Sequence, residues 1–474
     1  MAYTTVNDPS AHFQTTTYTG NAGSQTITNG GHSNLRPDWV WIKYRSSGDH
    51  VVVDSNRGAT KEIKPNANSA EATAANGVTG FVADGFTANG AGDYNGSGNY
   101  VSWQWAAGGA APTKTYKVVV VSDSGNKYRF RNSADTATYA ASAVTLNLQE
   151  GGTYTFDVSD NTVDSHPFVL GTSANSNEYS TGVTYKLDGV TKTYSQYTSG
   201  FSAATTRQLI ITVAASAPTL YYWCSVHSGM GGQVNTNSTF GSTNFDGSNL
   251  SIATTNTTAG LSIVKWTGTG SNATLGHGLG SKPQQVMIKA LDRSDNWRIG
   301  SDSLTSWGYN IALDVDNAEW SNSGVFNNTA PTTSVFSVGS DGATNANGEE
   351  YIAYVFHDVK GYSKFGQYLG NGDSNGSFIY TGFKPAFIML KRRDAVNHWH
   401  MLDDARDPVN YLERHILADL SNAEGTNTWC DFTSTGFKLR TNLVGVNGSN
   451  ESYIYWAFAS KPIVASNGIV GLAR

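Results

Sequence analysis

The chain writes nearly the same sentence three times. RPDWVWIKYR (Arg36 to Arg45), KPQQVMIKALD (Lys282 to Asp292) and KPAFIMLKRRD (Lys384 to Asp394) each open on a proline, and each copy closes on an aromatic run, GNYVSWQW, EEYIAYVF or ESYIYWAF. A repeat of this kind restricts the fold more than any single motif, because one supersecondary unit has to serve every copy. The opening prolines Pro37, Pro283 and Pro385 are separated by 246 and then 102 residues, so 144 additional residues lie between the first two copies. That excess is a domain in its own right. The expected organisation is therefore repeat 1 over residues 1–112, an inserted domain over 113–237, repeat 2 over 238–360 and repeat 3 with a C-terminal tail over 361–474. The small-residue stretches Gly108 to Thr115 and Gly231 to Thr243 read as the linkers.

Within a copy the pattern is that of strands. Trp39, Trp41 and Lys43 alternate with Val40, Ile42 and Tyr44, and Tyr453 and Tyr455 alternate with Ile454 and Trp456. A period of two with both sets apolar means that both faces of the sheet are covered. ADGF (Ala83 to Phe86) and STGF (Ser434 to Phe437) read as hairpin turns. The fold class that follows is all-β, with tandem β-sandwich modules of about 100 residues. Helix signals are thin: Val409 to Leu420, with Leu412, Ile416 and Leu420 spaced i, i+4, i+8, and Ser69 to Gly77.

Composition agrees. Only 14% of residues are charged, Gly numbers 51 and aromatics make up 12%, which suits stacked sheets joined by tight turns. A net charge of -6 without a basic block argues against a nucleic-acid partner. No apolar run reaches the roughly 20 residues of a membrane-crossing helix, so membrane insertion is not expected. The opening MAYTTVNDPS lacks a charged segment followed by an apolar one, which predicts assembly in a cytosol rather than secretion. Cys224 and Cys430 lie in different modules, and their spacing gives no support for a disulfide.

Several constellations could carry chemistry. Cys224, His227 and Met230 form C-x-x-H-x-x-M just after TLYYW, with His166 upstream in DNTVDSHPF. A thiolate, two imidazoles and a thioether are the ligand set of a blue-copper centre. Asp54 and Arg57 sit at D-x-x-R, repeated as Asp403 and Arg406, whereas the second copy lacks the arginine. These pairs read as structural ion pairs at a repeated turn, or as a base or sugar-binding pair. His398 and His400 flank Trp399 and read as a metal pair or as part of an aromatic core. Trp39, Trp41, Trp103 and Trp105 read as core rather than as sugar-stacking platforms. Asp314 to Glu319 and Asn371 to Ser377 lack calcium-loop spacing and read as turns. No phosphate-binding glycine loop and no nucleophile elbow is present, so no enzymatic activity is expected.

Two resemblances add to this reading. The inserted segment, through GGTYTF, the His166 loop and YYWCSVHSGMGG, resembles the cupredoxin family, which implies a Greek-key sandwich with His166, Cys224, His227 and Met230 as copper ligands. Pro167 departs from the family, many of whose electron carriers have an Asn there. The opening MAYTTVNDPSAHFQTTTYTGN, RPDWVWIKYR and ESYIYWAFASKP look like a module of marine tailed-phage virion proteins. That likeness implies a virion structural protein, a tail fibre or appendage for host attachment, with a head decoration or capsid-associated protein as the alternative. It further implies other virion proteins as partners, a homo-oligomer such as a trimer, and a host-surface glycan or receptor as target. A copper electron-transfer protein and a polysaccharide depolymerase are the rival classes. The tail IVASNGIVGLAR reads as a linker or an assembly contact.

Overall fold

The computed structural model describes residues 4–90, 92–108, 111–237 and 241–461. The tail IVASNGIVGLAR lies outside them. The protein is all-β, and it divides into two compact units. One holds the three repeats (residues 1–107, 255–273 and 279–474); the other is the insertion (residues 108–254 and 274–278). The insertion thus runs on to Thr254, past the expected limit at residue 237. The stretch read as its exit linker is partly a strand, Gly232–Asn237, paired with Leu220–Cys224 and with Leu146–Gln149.

Each repeat builds the same four-stranded antiparallel arrangement. In the first, Phe13–Gly20, Trp39–Tyr44, His50–Asp54 and Gly98–Trp105 lie in the order first, fourth, second, third. Leu261–Thr267, Gln285–Ala290, Arg298–Ser301 and Glu350–Phe356 repeat that order, as do Ser363–Leu369, Phe387–Arg392, Trp399–Asp403 and Ser452–Phe458. The registers superpose residue by residue. Trp39 faces Trp105 and Asp54, Gln285 faces Phe356 and Ser301, and Phe387 faces Phe458 and Asp403.

The alternation read from the sequence places its two faces in two different cores. Val40, Ile42, Val51 and Val53 face the module's own second layer, where strands Gln25–Thr28, Val78–Val82 and Gly85–Ala88 supply Ile27, Val78 and Phe86. Trp39, Trp41, Trp103 and Trp105 face the other way, into a core shared by all three repeats. There Phe13 meets Phe458 at 5.3 Å, Trp39 meets Tyr354 at 4.6 Å and Phe356 meets Phe365 at 5.3 Å between ring centroids. Aromatic pairs at these separations add to the burial of the rings themselves. The sandwiches are therefore fused around one centre rather than strung in tandem.

The seams between repeats close head to tail. Gly48 N–H donates to Ser421 O, Asp295 N–H to Asn68 O and Asn397 N–H to Asp316 O, at 2.9, 2.9 and 2.8 Å. The side chain that opens the third strand in repeats 1 and 3, or just precedes it in repeat 2, makes a parallel connection. His50 Nε2 meets Leu417 O, Trp297 Nε1 donates to Lys64 O and Trp399 Nε1 donates to Ala312 O, each at 2.9 Å. Repeat 1 thus contacts repeat 3, repeat 2 contacts repeat 1, and repeat 3 contacts repeat 2, a cyclic pattern of pseudo-threefold type.

Neither expected helix forms. Leu412–Leu417 is a strand, and residues 72–73 within Ser69 to Gly77 form a short strand. Leu412, Ile416 and Leu420 are spaced by four, and a spacing of four fits a period of two as well as a helix. A register shift between Leu412 and Arg414 then sends Leu412 to the module's own core and Ile416 to the shared one.

Candidate metal centre

The inserted unit is a two-sheet sandwich of six and five strands around its own aromatic core. Strand Phe168–Ser173 pairs antiparallel with Leu220–Cys224 so that Phe168 lies opposite Cys224. This register carries His166, two residues before Phe168, to the end of the strand that delivers Cys224. The approach to His166 is fixed by a single 3₁₀ turn, Asn161–Val163, capped by the Asp160 carboxylate on Thr162 N–H. The two ligand loops are tied by Ser225 N–H donating to Pro167 O at 3.0 Å. That backbone link is made at Pro167, the position that departs from the cupredoxin pattern.

His166 Nδ1 and His227 Nδ1 are 3.1 Å apart, and Cys224 Sγ lies 3.9 Å from the first and 3.7 Å from the second. An ion bound at about 2.0–2.1 Å to nitrogen and about 2.3 Å to sulfur, between tetrahedral and trigonal angles, requires N–N edges of about 3.4–3.6 Å and N–S edges of about 3.6–3.8 Å. The observed triangle matches those edges to within a few tenths of an ångström. His166 and Cys224 are buried and His227 is exposed, so the triangle opens to solvent on one side. Met230 is buried in the same cluster as Cys224, and its carbonyl accepts from Tyr128 N–H at 2.9 Å. Burial, and then the neighbouring His227, lower the His166 pKa, which keeps its nitrogen free of a competing proton.

Sequence reasoning missed Asn126, whose side-chain amide lies 3.3 Å from His166 Nε2. Its Nδ2 is the atom that faces Nε2; with the amide turned over, the carbonyl oxygen would accept the Nε2 proton and leave Nδ1 as the donor to an ion. Nothing in the local sequence marks it, because it comes from the strand Asn126–Phe130, 40 residues upstream of His166.

The other candidate residues resolve differently. Asp54 and Arg57 form a buried pair at 2.5 Å, and Asp403 and Arg406 do the same at 2.7 Å. Each arginine also donates to a backbone carbonyl, Val52 O or Met401 O. Each carboxylate accepts from another repeat, Asp54 from Tyr354 Oη at 2.7 Å and Asp403 from Trp103 Nε1 at 3.1 Å. These are seam fasteners. His398 pairs with Asp419 at 2.7 Å, while His400 turns into the module core, so the two histidines do not converge. The four tryptophans of the first repeat are all buried. Cys224 and Cys430 are both free and buried. No helix among the described residues is long and apolar enough to cross a membrane.

Comparison with curated proteins finds no match. The profile of one family covers more than half of the chain and breaks over residues 130–232, inside the inserted unit. With residues 8–129 and 233–462 matched, the chain belongs to the DUF7483 family, a domain of unknown function.

Proposed function

We propose that this chain is a structural protein of a tailed-phage particle, a tail fibre or similar appendage that contributes to host-surface attachment. The observation that carries this reading is the fusion of three copies of one module around a single aromatic core. Such a body is a rigid support that displays loops from several quasi-equivalent positions, whereas the repeated charged pairs that might have formed a reaction centre are consumed in holding the seams. Self-association and docking onto other virion proteins cover the remaining sheet edges, and a host glycan or receptor is the target. The test is the position of the chain in an intact particle, read by cross-linking and by labelling with antibody against the insertion. Cross-links to tail components together with binding to host envelope support the reading. Cross-links confined to capsid proteins replace it with a head decoration, and reducing-end release from host capsule replaces it with a depolymerase.

A second proposal rests on the His166, Cys224 and His227 triangle, the donor set that the cupredoxin resemblance implies. These residues, with Met230, would hold copper in a loop-stapling role. Bound there, copper supplies a one-electron couple. The protein's own contribution is to fix the His166 imidazole through strand register and Asn126, and to bury the thiolate. Addition of Cu(II) should give an intense thiolate-to-metal absorption band and raise the unfolding temperature of the inserted unit, and both effects should vanish in Cys224→Ser. Absence of the band and of the shift in the parent protein would leave a sandwich without a metal.

A further inference from the structure

The third repeat carries two imidazoles that its fold does not require. His400 stands where the first repeat has Val51: His400 pairs with Leu390, and Val51 pairs with Ile42, on equivalent strands. His400 is 7% exposed, and neither of its ring nitrogens has a hydrogen-bond partner. His415, on the adjoining strand Leu412–Leu417, has its Nδ1 buried and unpartnered, while its ring bonds the Gly425 backbone. A polar nitrogen left this way is destabilising, and native proteins retain such groups for a reason.

The surroundings are shaped around these rings. Their centroids are 5.6 Å apart, and the Trp429 indole lies 4.9 Å from His400 and 4.5 Å from His415. Two glycines keep space beside them. A Cβ at Gly445 would stand 2.9 Å from His400 Nε2, and one at Gly425 would stand 2.3 Å from His415 Cε1. Burial drives the His400 pKa down to about 3, so this ring is a neutral donor. The nearby Glu424 carboxylate is already held by Arg45 and Arg406.

We propose that His400 and His415 hold one soft monovalent cation, of the Cu(I) or Ag(I) class, beside Trp429. Two neutral imidazoles with no free carboxylate suit an ion that carries one charge and accepts two nitrogen donors. The Trp429 indole, packed 4.9 and 4.5 Å from the two imidazole centroids, closes one side of the pair. An ion about 2.0 Å from one nitrogen of each ring would lie roughly 3 Å from each centroid, and the 5.6 Å separation accommodates it.

The site is separate from the centre in the insertion and is tested without it. In the full chain carrying His166→Ala, Cys224→Ser, Met230→Leu and Cys430→Ala, which removes both thiols and dismantles the centre in the insertion, titration with Ag(I) should leave one equivalent bound after desalting, with a fall in tryptophan fluorescence. Adding His400→Val, the residue of the first repeat, should lower retention at least tenfold while leaving the unfolding temperature of the ion-free protein undiminished. His415→Leu is the independent second variant and should lower retention equally. The proposal is overturned if the thiol-free chain retains no Ag(I), or if either histidine variant that remains folded retains as much as its parent.

Discussion

Two of the three seams in the repeat unit are built alike and the third is not. Asp54 accepts from Tyr354 and Asp403 accepts from Trp103, each carboxylate being backed by an arginine three residues later. At the equivalent place the second repeat has Ser301, with Leu304 where the arginine would stand, and Trp456 Nε1, the counterpart of those two donors, is buried without a partner. The third seam nevertheless closes with the same kinds of contact to backbone carbonyls, Asn397 N–H to Asp316 O and Trp399 Nε1 to Ala312 O. The difference teaches that the backbone stitches and the aromatic core suffice to assemble the body, and that the charged fasteners are additions to two interfaces. A buried ion pair is costly to break yet often replaceable by apolar groups of similar volume, and the molecule contains both solutions side by side.

That comparison can be broken most forcefully by removing one partner. Arg406→Leu leaves the Asp403 carboxylate buried without its countercharge, served only by Trp103 Nε1 and the backbone N–H of residue 406, and should destabilise the repeat unit by about 3–5 kcal/mol. The double change Asp403→Ser with Arg406→Leu, which copies the second repeat, should recover most of that loss. Denaturant unfolding monitored by tryptophan fluorescence reads both, and equal instability of the single and double variants would refute the comparison.

A smaller effect comes from a feature common to all three repeats. Lys43, Lys289 and Lys391 occupy equivalent positions, are fully buried and donate to backbone carbonyls, Lys289 to Asn68 O and Lys391 to Asp316 O across a seam. Burial lowers each pKa to about 8, against an ordinary value near 10.5. Below pH 8 the charge is carried in both folded and unfolded states and its burial opposes folding in full. Between pH 8 and the unfolded value the folded state has released the proton and the unfolded state has not, so stability rises with pH. The gain should reach roughly 2 kcal/mol per lysine by pH 10, where unfolded tyrosines begin to titrate and reverse the trend. Lys289→Met should flatten about a third of the slope, and an unchanged slope would show that this lysine is not the source.

The smallest change is the repair of the odd seam. Ser301→Asp with Leu304→Arg supplies the missing carboxylate to Trp456 and the missing guanidinium behind it. Since a new buried pair roughly breaks even against the apolar residue it replaces, the midpoint of unfolding should move by no more than about 1 kcal/mol. A loss of several kcal/mol would mean that this seam has been repacked around serine and leucine and is no longer equivalent to the other two.

Much of this was legible in the sequence. Period-two alternation with apolar residues on both faces gave the strands and the two covered faces, and the proline spacing gave the insertion. The shared core was not legible, because a buried face reveals that it is covered and not by what: Trp41 looks the same whether it meets its own module or a neighbour. The helix expected at Val409 to Leu420 failed for a related reason, since residues four apart share a face in a strand as readily as in a helix. The His166, Cys224, His227 set was readable because two of its three members sit in one C-x-x-H run. Asn126, His415 and Trp429 were invisible as site residues because only tertiary folding brings them to their partners.

Fusing the three repeats into one polypeptide has a consequence for how the protein can change. In a closed ring of identical subunits every mutation is repeated at each position, and an alteration tolerable once may be ruinous three times. Covalent linkage lifts that restriction. The second copy can do without the arginine and the last can carry His400 where the first has Val51, while a whole inserted domain occupies one copy and not the other two.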